Sequence, residues 1–263
     1  MRTRLILLLA AAVGAIWLAT IFLPDDPILN TSISTTITAG MSFVAAMLVI
    51  ARQKPGGLYG RTYTALAIGL ACWFAGEMIW TYDNMIAGKE AAQLSLADIP
   101  WLMLYAFFGY HVFKTYQFFG FSVNKYHLLV VVATVGTMTA VTMYSILSAL
   151  GDFRSPAVAM VRLSYPIGDA VLIVPSVLLL ITLRHGLLTY TPWLFSSVAL
   201  ILIAVADILF SNIALFGTAD VYRIAFPLYN AGNLFFFSAL IWYNKFGIYD
   251  KSKVIEIFQE RNR

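Results

Sequence analysis

Eight long runs of apolar residues follow one another along the chain, separated by short polar or turn-forming segments. Each run approaches the roughly 20 residues that an α-helix needs to cross the hydrocarbon core of a bilayer. Charged residues make up only 11% of the 263 residues, whereas a soluble domain carries about 25%. The predicted fold is therefore an all-α, polytopic integral membrane bundle of about eight transmembrane helices. The predicted helices cover residues 5–23, 33–51, 62–83, 98–119, 127–149, 156–182, 192–215 and 224–244.

The sequence predicts one transmembrane domain followed by a short tail. Residues 1–245 hold the eight runs with short connections, which leaves no room for a folded soluble domain beside them. The first run follows Arg2 and Arg4 and is long for a signal peptide, so we interpret it as a retained span. Residues 246–263 alternate charged and apolar residues. They are expected to form a cytoplasmic tail, either an amphipathic helix that lies on the membrane or docks a partner, or a solubilising terminus.

The basic residues predict how the bundle is oriented. If the N-terminus lies inside, 13 of the 17 basic residues fall in inner segments, while the outer loops collect acidic residues. This asymmetry predicts that both termini are cytoplasmic and that the chain is a multi-pass protein of the cell membrane. It also accounts for the net charge of +4. Membrane lipids are therefore expected partners, and nucleic acid is not.

Four ionisable residues lie inside the predicted spans, where a charge costs at least a few kcal/mol unless it has a partner, water or a function. They are Glu77, Arg162, Asp169 and Asp207. Counting about 1.5 Å per residue from the assumed outer boundary puts three of them about 10–12 Å deep, and Asp169 nearer the midplane. The same outer half contains further polar side chains, namely Asp98, Tyr165, Tyr229, Asn230 and Asn233. The sequence therefore predicts a polar pocket in the outer half of the bilayer.

Each of these residues has a candidate role in the pocket. The three intramembrane acids are candidates for an anionic lining, and Arg162 for their counter-charge or for an anion clamp. Arg162 and Asp169 lie two helical turns apart with Tyr165 between them, so the three side chains share one face. Asn230 and Asn233, three residues apart, supply neutral hydrogen-bonding groups.

Other interpretations of the same residues stay open. The polar side chains can be interhelical contacts that only hold the bundle together, or they can form a catalytic site. Asp98 is interpreted first as the N-cap of the predicted helix 98–119, followed by Pro100 in its first turn, and second as a site residue. Trp101 is expected to anchor this helix at the membrane interface.

The sequence predicts no cofactor and no metal. Cys72 is the single cysteine, which excludes a disulfide framework and a thiolate zinc site. His111 lies inside a predicted helix and is expected to be packed or to line a pore. Lys245 lies at the membrane edge, where it cannot form the Schiff base of a retinal protein. Motifs of zinc proteases, serine hydrolases, P-loops and EF-hands do not occur.

Several short motifs resemble a family of membrane sensors. They are Gly76-Glu77 with Trp80, Ser95 to Ile99, Tyr165 to Asp169, and Ala206-Asp207. Together they are similar to the multi-pass membrane regions of seven or eight helices found ahead of bacterial diguanylate cyclase, phosphodiesterase or kinase modules. The resemblance covers residues 60–245. It implies that the bundle senses a signal and, as a stand-alone sensor, passes it to a separate cytoplasmic effector.

A weaker resemblance points to an enzyme. Gly168-Asp169 inside a predicted helix, together with Asp207, is similar to the lysoplasmalogenase family. That resemblance implies intramembrane acids that cleave the vinyl-ether bond of a lysolipid, one carboxyl acting as general acid. A small transporter or channel is a further alternative. The expected function is thus the binding or sensing of a small molecule, lipid or ion, with hydrolysis or transport as alternatives.

Overall fold

The computed structural model describes residues 27–53, 57–87, 94–119, 124–150, 155–183, 190–212 and 218–245. Within these ranges the regular structure is α-helical, which confirms the predicted all-α class for this part of the chain. The predicted helix 5–23 and the tail 246–263 lie outside the described residues. The seven helices are α1 Pro27–Gln53, α2 Gly57–Met85, α3 Asp98–Phe119, α4 Lys125–Leu150, α5 Pro156–Leu183, α6 Thr191–Ser211 and α7 Thr218–Lys245.

Six of these seven helices are long and apolar enough to cross a membrane. This fits a multi-pass integral membrane protein, as the composition predicts. The exception, α3, has suitable length but carries His111, Lys114 and several tyrosines, which lower its mean hydropathy. The total of eight spans and the side on which the termini lie stay predictions.

Helix boundaries differ from the predicted ones where polar residues enter a helix. α1 begins at Pro27 rather than near residue 33, because proline suits the first helical turn even when the next turns are polar. α6 ends at Ser211 rather than at residue 215. At its end the backbone N–H of Asn212 donates to the carbonyl oxygens of Ile208 and Leu209. This bifurcated bond tightens the last turn and closes the helix.

Six of the helices pack into a closed ring, in the order α1, α2, α3, α5, α6 and α7, with α7 returning to α1. Aromatic side chains fill its centre. Phe108 of α3 meets Phe236 of α7 with ring centroids 5.4 Å apart, and Trp80 of α2 meets Phe210 of α6 at 6.4 Å. α4 lies outside the ring, packed mainly against α5, and is the least buried of the six candidate spans.

Two glycines bring α2 close to α3. A methyl carbon added at Gly69 would clash with the ring of Phe108, and one added at Gly76 would clash with the indole of Trp101. The two glycines are seven residues apart and share one face of α2. Their lack of side chains therefore lets two large rings of α3 pack against the α2 backbone, which places α3 next to the intramembrane acids.

Candidate functional site

Two aspartates and two tyrosines from four different helices meet between the helices of the ring. The Tyr105 hydroxyl on α3 donates to Asp169 Oδ1 on α5 at 2.8 Å, and it lies 3.5 Å from Asp207 Oδ2 on α6. The Tyr229 hydroxyl on α7 donates to Asp207 Oδ1 at 2.6 Å. We call these four residues the acid–tyrosine cluster. It joins α3, α5, α6 and α7 through hydrogen bonds that end on carboxyl oxygens.

The two carboxyl groups of the cluster also interact directly with each other. Asp169 is only 3% exposed and Tyr229 8% exposed, whereas Asp207 is partly exposed. Two neighbouring carboxylates cannot both keep a full negative charge cheaply in a medium of low dielectric constant. The cluster is therefore chemically suited to hold one proton between the two acids, or to accept a positively charged or hydrogen-donating group.

Glu77 extends this acidic region along α2. Its carboxyl is 5% exposed and interacts electrostatically with Asp207. The indole of Trp101 lies near enough to interact with Glu77, but its buried Nε1 is outside hydrogen-bond geometry. Although the sequence predicts Trp101 as an interface anchor, its ring packs on Gly76. All three predicted intramembrane acids thus converge on one region.

A glycine precedes two of the converging acids and has the same packing role in both places. A methyl carbon added at Gly168 would lie 2.5 Å from Cδ1 of Tyr105, and one added at Gly76 would clash with Trp101. Tyr105 and Trp101 are four residues apart on α3, and therefore on one face. Each Gly-acid pair accepts one ring of α3 next to its carboxyl group.

The start of α3 carries a second acidic group. Asp98 Oδ2 accepts a 2.9 Å hydrogen bond from the backbone N–H of Ser95, and the Ser95 hydroxyl oxygen accepts one from the N–H of Ala97 at 3.1 Å. This is a capping box in which Ser95 caps the helix and Asp98 reaches back to it. The interpretation of Asp98 as the N-cap is therefore wrong by three residues. The Ser95 hydroxyl also donates to Asp83 Oδ2 at 2.6 Å.

Tyr165 connects this group to the acid–tyrosine cluster. Its hydroxyl donates to Asp98 Oδ1 at 2.6 Å, and its ring meets the ring of Tyr105 edge-on at 6.3 Å. Asp98, Tyr165, Tyr105 and Asp169 consequently form a continuous series of contacts between α3 and α5. The predicted neighbourhood of Tyr165, Asp98 and Asp169 is thus present in the fold.

Asn230 and Asn233 face α1. Asn230 Oδ1 accepts a 2.7 Å hydrogen bond from the Thr38 hydroxyl, and its Nδ2 donates to Ser34 Oγ at 3.0 Å. Asn233 Nδ2 donates to the Thr38 oxygen at 3.4 Å, and its Oδ1 is buried without a hydrogen-bond partner. Both residues are fully buried. Adjacent residues of a helix point about 100° apart, so Asn230 turns to α1 while Tyr229 turns to Asp207.

Arg162 lies on α5, two turns before Asp169, and is partly buried. Tyr105 and Tyr229 donate hydrogen bonds to Asp169 and Asp207, and the two aspartates also interact with each other. The role of Arg162 as a counter-charge or an anion clamp therefore stays a prediction. Among the residues that the structure describes, no three or more histidine, cysteine or acidic side chains gather in a way that could hold a metal ion.

A groove of about 270 Å³ runs between α4, α5 and α6. Among the residues that the structure describes, its wall consists of apolar side chains and two threonines, with Asp169 as the single charged residue. Since Asp169 also accepts the hydrogen bond from Tyr105, one residue belongs both to the acid–tyrosine cluster and to the lining of the groove. The groove and the cluster are thus adjacent.

The sequence interpretation did not identify Tyr105, which contacts both aspartates. Tyr105 lies seven residues after Asp98 and four after Trp101, on a common face of α3. That spacing from a predicted site residue was the available signal. His111, by contrast, is packed as expected, with its Nδ1 3.0 Å from the carbonyl oxygen of Thr62.

The chain was compared with models of protein families, with curated proteins and with solved structures, and it matches none of them.

Proposed function

We propose that the chain is a membrane sensor that binds a small molecule, lipid or ion at the acid–tyrosine cluster, in the outer half of the bilayer. The observation that supports this most is the double position of Asp169, which accepts a hydrogen bond inside the cluster and also lines the groove between α4, α5 and α6. Polar contacts that only hold helices together need no such access. A binding site does.

The balance of donors and acceptors in the cluster also favours binding. Asp169 and Asp207 bring four carboxyl oxygens, whereas Tyr105 and Tyr229 bring two hydroxyl protons. A structural network buried in a bundle is expected to pair its acids with an equal supply of donors. A carboxyl oxygen can accept more than one hydrogen bond, so the cluster has room for a further donor or a positive charge that the ligand supplies.

α7 provides a path from this site to the other end of the bundle. Tyr229 on α7 bonds Asp207, and the same helix continues without interruption to Lys245. A ligand that competes for Asp207 changes the hydrogen bond between Tyr229 and Asp207, which joins α7 to α6. A rigid helix carries that change along its axis. In this proposal the far end of α7 presents the signal to a separate cytoplasmic effector.

Mass spectrometry of small molecules bound to the purified protein tests the proposal. We expect wild-type protein in mild detergent to release a specific molecule, and the Asp207→Asn and Tyr229→Phe variants to have lost it while remaining folded. Tyr110→Phe is the matched control, because Tyr110 is exposed on the surface of α3. Identical bound molecules in all four proteins, or folding failure of both site variants, would favour the purely structural interpretation.

The contact between Asp169 and Asp207 also supports a second candidate, hydrolysis of a lipid. Two interacting carboxyl groups can hold one proton between them, so that one serves as general acid and the other as general base. This is the arrangement that cleavage of a vinyl ether requires. Purified protein would then release free aldehyde from lysoplasmalogen, and either Asp→Asn variant would not. Absence of turnover by wild-type protein would eliminate this candidate.

A further inference from the structure

The groove between α4, α5 and α6 is shaped for a hydrocarbon chain. Apart from two threonines, a proline and Asp169, its walls are formed by branched aliphatic side chains and a methionine, among them Val131, Val135 and Met138 of α4 and Ile201 and Val205 of α6. Surfaces of this composition favour saturated carbon over any polar group. The groove lies on the outer side of the helical ring, where α4 leans against α5, so a molecule dissolved in the surrounding membrane can enter it from the side.

The volume of the groove limits what it can hold. At about 270 Å³ it is slightly smaller than the roughly 300–1,000 Å³ of ordinary ligand pockets. A group the size of a water molecule takes about 30 Å³, so about nine methylene-sized groups fill the groove. A single chain of eight to ten carbons fits, whereas the two long chains of a bilayer phospholipid do not.

The charge of the groove wall limits the head group. Asp169 is the charged residue among the groove-lining side chains that the structure describes, and it interacts with Asp207, which in turn interacts with Glu77. Asp169 would repel an anionic head group, whereas a cationic head group supplies the opposite charge and hydrogen-bond donors. An ammonium group has three donors and no acceptor, which matches the unused acceptor capacity of the cluster.

We infer that the groove binds a single-chain cationic amphiphile, a primary alkylammonium ion of about eight to ten carbons, with its head group on Asp169. The inference rests on the proposed function, since it names the class of ligand for the same site. The chain lies along the aliphatic walls between α4 and α6, and the ammonium group donates to the Asp169 carboxyl. Tyr105 keeps the carboxyl in place from the opposite side.

Calorimetric titration of the full chain in dimyristoylphosphatidylcholine nanodiscs tests this inference, with empty nanodiscs as the blank. The probes are decylammonium, decanol and decanoate, which share one chain and differ in head group. We expect saturable binding of decylammonium beyond its partition into empty nanodiscs, and only partition for decanol and decanoate. Losing a hydrogen bond to a charged group weakens binding about tenfold or more, so Asp169→Asn is expected to raise the Kd of decylammonium by that factor.

Two further variants distinguish the contribution of the groove walls to binding from that of the Asp169 carboxyl group. Val205→Phe fills the groove from α6 while the Asp169 side chain is kept, and it is expected to abolish saturable binding. Val141→Phe adds the same ring on the exposed surface of α4, outside the groove lining, and is expected to bind like wild type. The inference would be overturned by saturable binding that survives both Asp169→Asn and Val205→Phe, which would place the bound probe elsewhere on the protein. Equal binding of the three probes would also overturn it, because the head group would then make no difference.

The result also distinguishes this inference from the proposed function. If decylammonium does not bind, but a co-purified molecule depends on Asp207 and Tyr229, then the site exists and the cationic class is wrong. If neither is observed, both the site and the ligand class fail.

Discussion

Tyr105 and Asp169 are joined by a 2.8 Å hydrogen bond between α3 and α5, and the residue before Asp169 is the glycine on which the Tyr105 ring packs. One tyrosine is therefore fixed at both ends, its ring by Gly168 and its hydroxyl by the carboxyl group. Because the same hydroxyl lies 3.5 Å from Asp207, the position of this ring determines how the two aspartates face each other.

Tyr105→Phe is expected to lower stability, because Asp169 Oδ1 loses the donor that the structure gives it. Interhelical hydrogen bonds in membrane proteins contribute about 0.6 kcal/mol on average and up to about 1.7 kcal/mol. Unfolding in bicelles measures the difference. Tyr110→Phe, on the exposed face of α3, is the control and is expected to unfold like wild type. Equal stability of the two variants would show that the Tyr105 hydroxyl contributes nothing.

Gly168→Ala and Gly76→Ala are each expected to destabilise the bundle by about 1–3 kcal/mol, the usual cost of overpacking a filled core. Gly109→Ala and Gly136→Ala are matched controls, because a methyl carbon at either position meets nothing within 4 Å. In a helix these two changes are expected to be neutral or stabilising, by up to about 1 kcal/mol. Thermal unfolding in one detergent compares all four. If all four variants unfold at the same temperature, the close approach of α3 to α2 and to α5 is refuted.

The pair Thr38 and Asn230 is expected to couple α1 to α7. A double-mutant cycle with Thr38→Val and Asn230→Ala measures the coupling, and we expect about 0.6–1.7 kcal/mol. Thr137→Val on α4 is the control, since the Thr137 hydroxyl bonds the Ala133 carbonyl of its own helix. Strictly additive effects of the two changes would contradict the 2.7 Å bond between Thr38 and Asn230.

Asp98→Ala is expected to destabilise the start of α3 by more than Asp98→Asn does. The alanine loses both the bond from the Ser95 N–H and the bond from the Tyr165 hydroxyl, while the asparagine keeps one oxygen as acceptor. Loss of a helix cap costs about 0.5–2 kcal/mol. Hydrogen exchange of the first turn of α3 measures this locally. The same exchange rate in both variants would indicate that the capping box does not form.

The predicted orientation can be tested with the single cysteine. In a Cys72→Ala background, Asn124→Cys and Ser155→Cys place one thiol just before α4 and one just before α5. The positive-inside asymmetry predicts that a membrane-impermeant maleimide added to intact cells labels position 155 and leaves position 124 unlabelled until the cells are opened. Labelling of position 124 alone in intact cells would reverse the orientation.

The sequence was informative about the helices and about the depth of the three intramembrane acids within them, because both depend on distance along the chain. Helix α3 begins and ends at the predicted residues, since Asp98 and Pro100 mark its start. Glu77, Asp169 and Asp207 interact with one another in the bundle, and the sequence predicts all three in the same half of the bilayer. Counting residues is enough to estimate such depth.

The rotation of each helix about its axis could not be predicted in the same way. Tyr229 and Asn230 are adjacent in sequence, yet one bonds Asp207 on α6 and the other bonds Thr38 on α1. Which neighbour each meets depends on how the ring closes, and the ring closes through packing between residues far apart in the chain. Tyr105 escaped notice for a related reason, since an uncharged aromatic residue in an apolar run is usually core.

The two glycines that receive rings of α3 also constrain how this chain can change over generations. A side chain at position 76 would displace Trp101, and one at position 168 would displace Tyr105. Each pair is therefore expected to vary jointly, with the larger partner shrinking first. A descendant of this gene that keeps both aromatic residues is expected to keep both glycines, whereas one that loses the Tyr105 ring is free to replace Gly168.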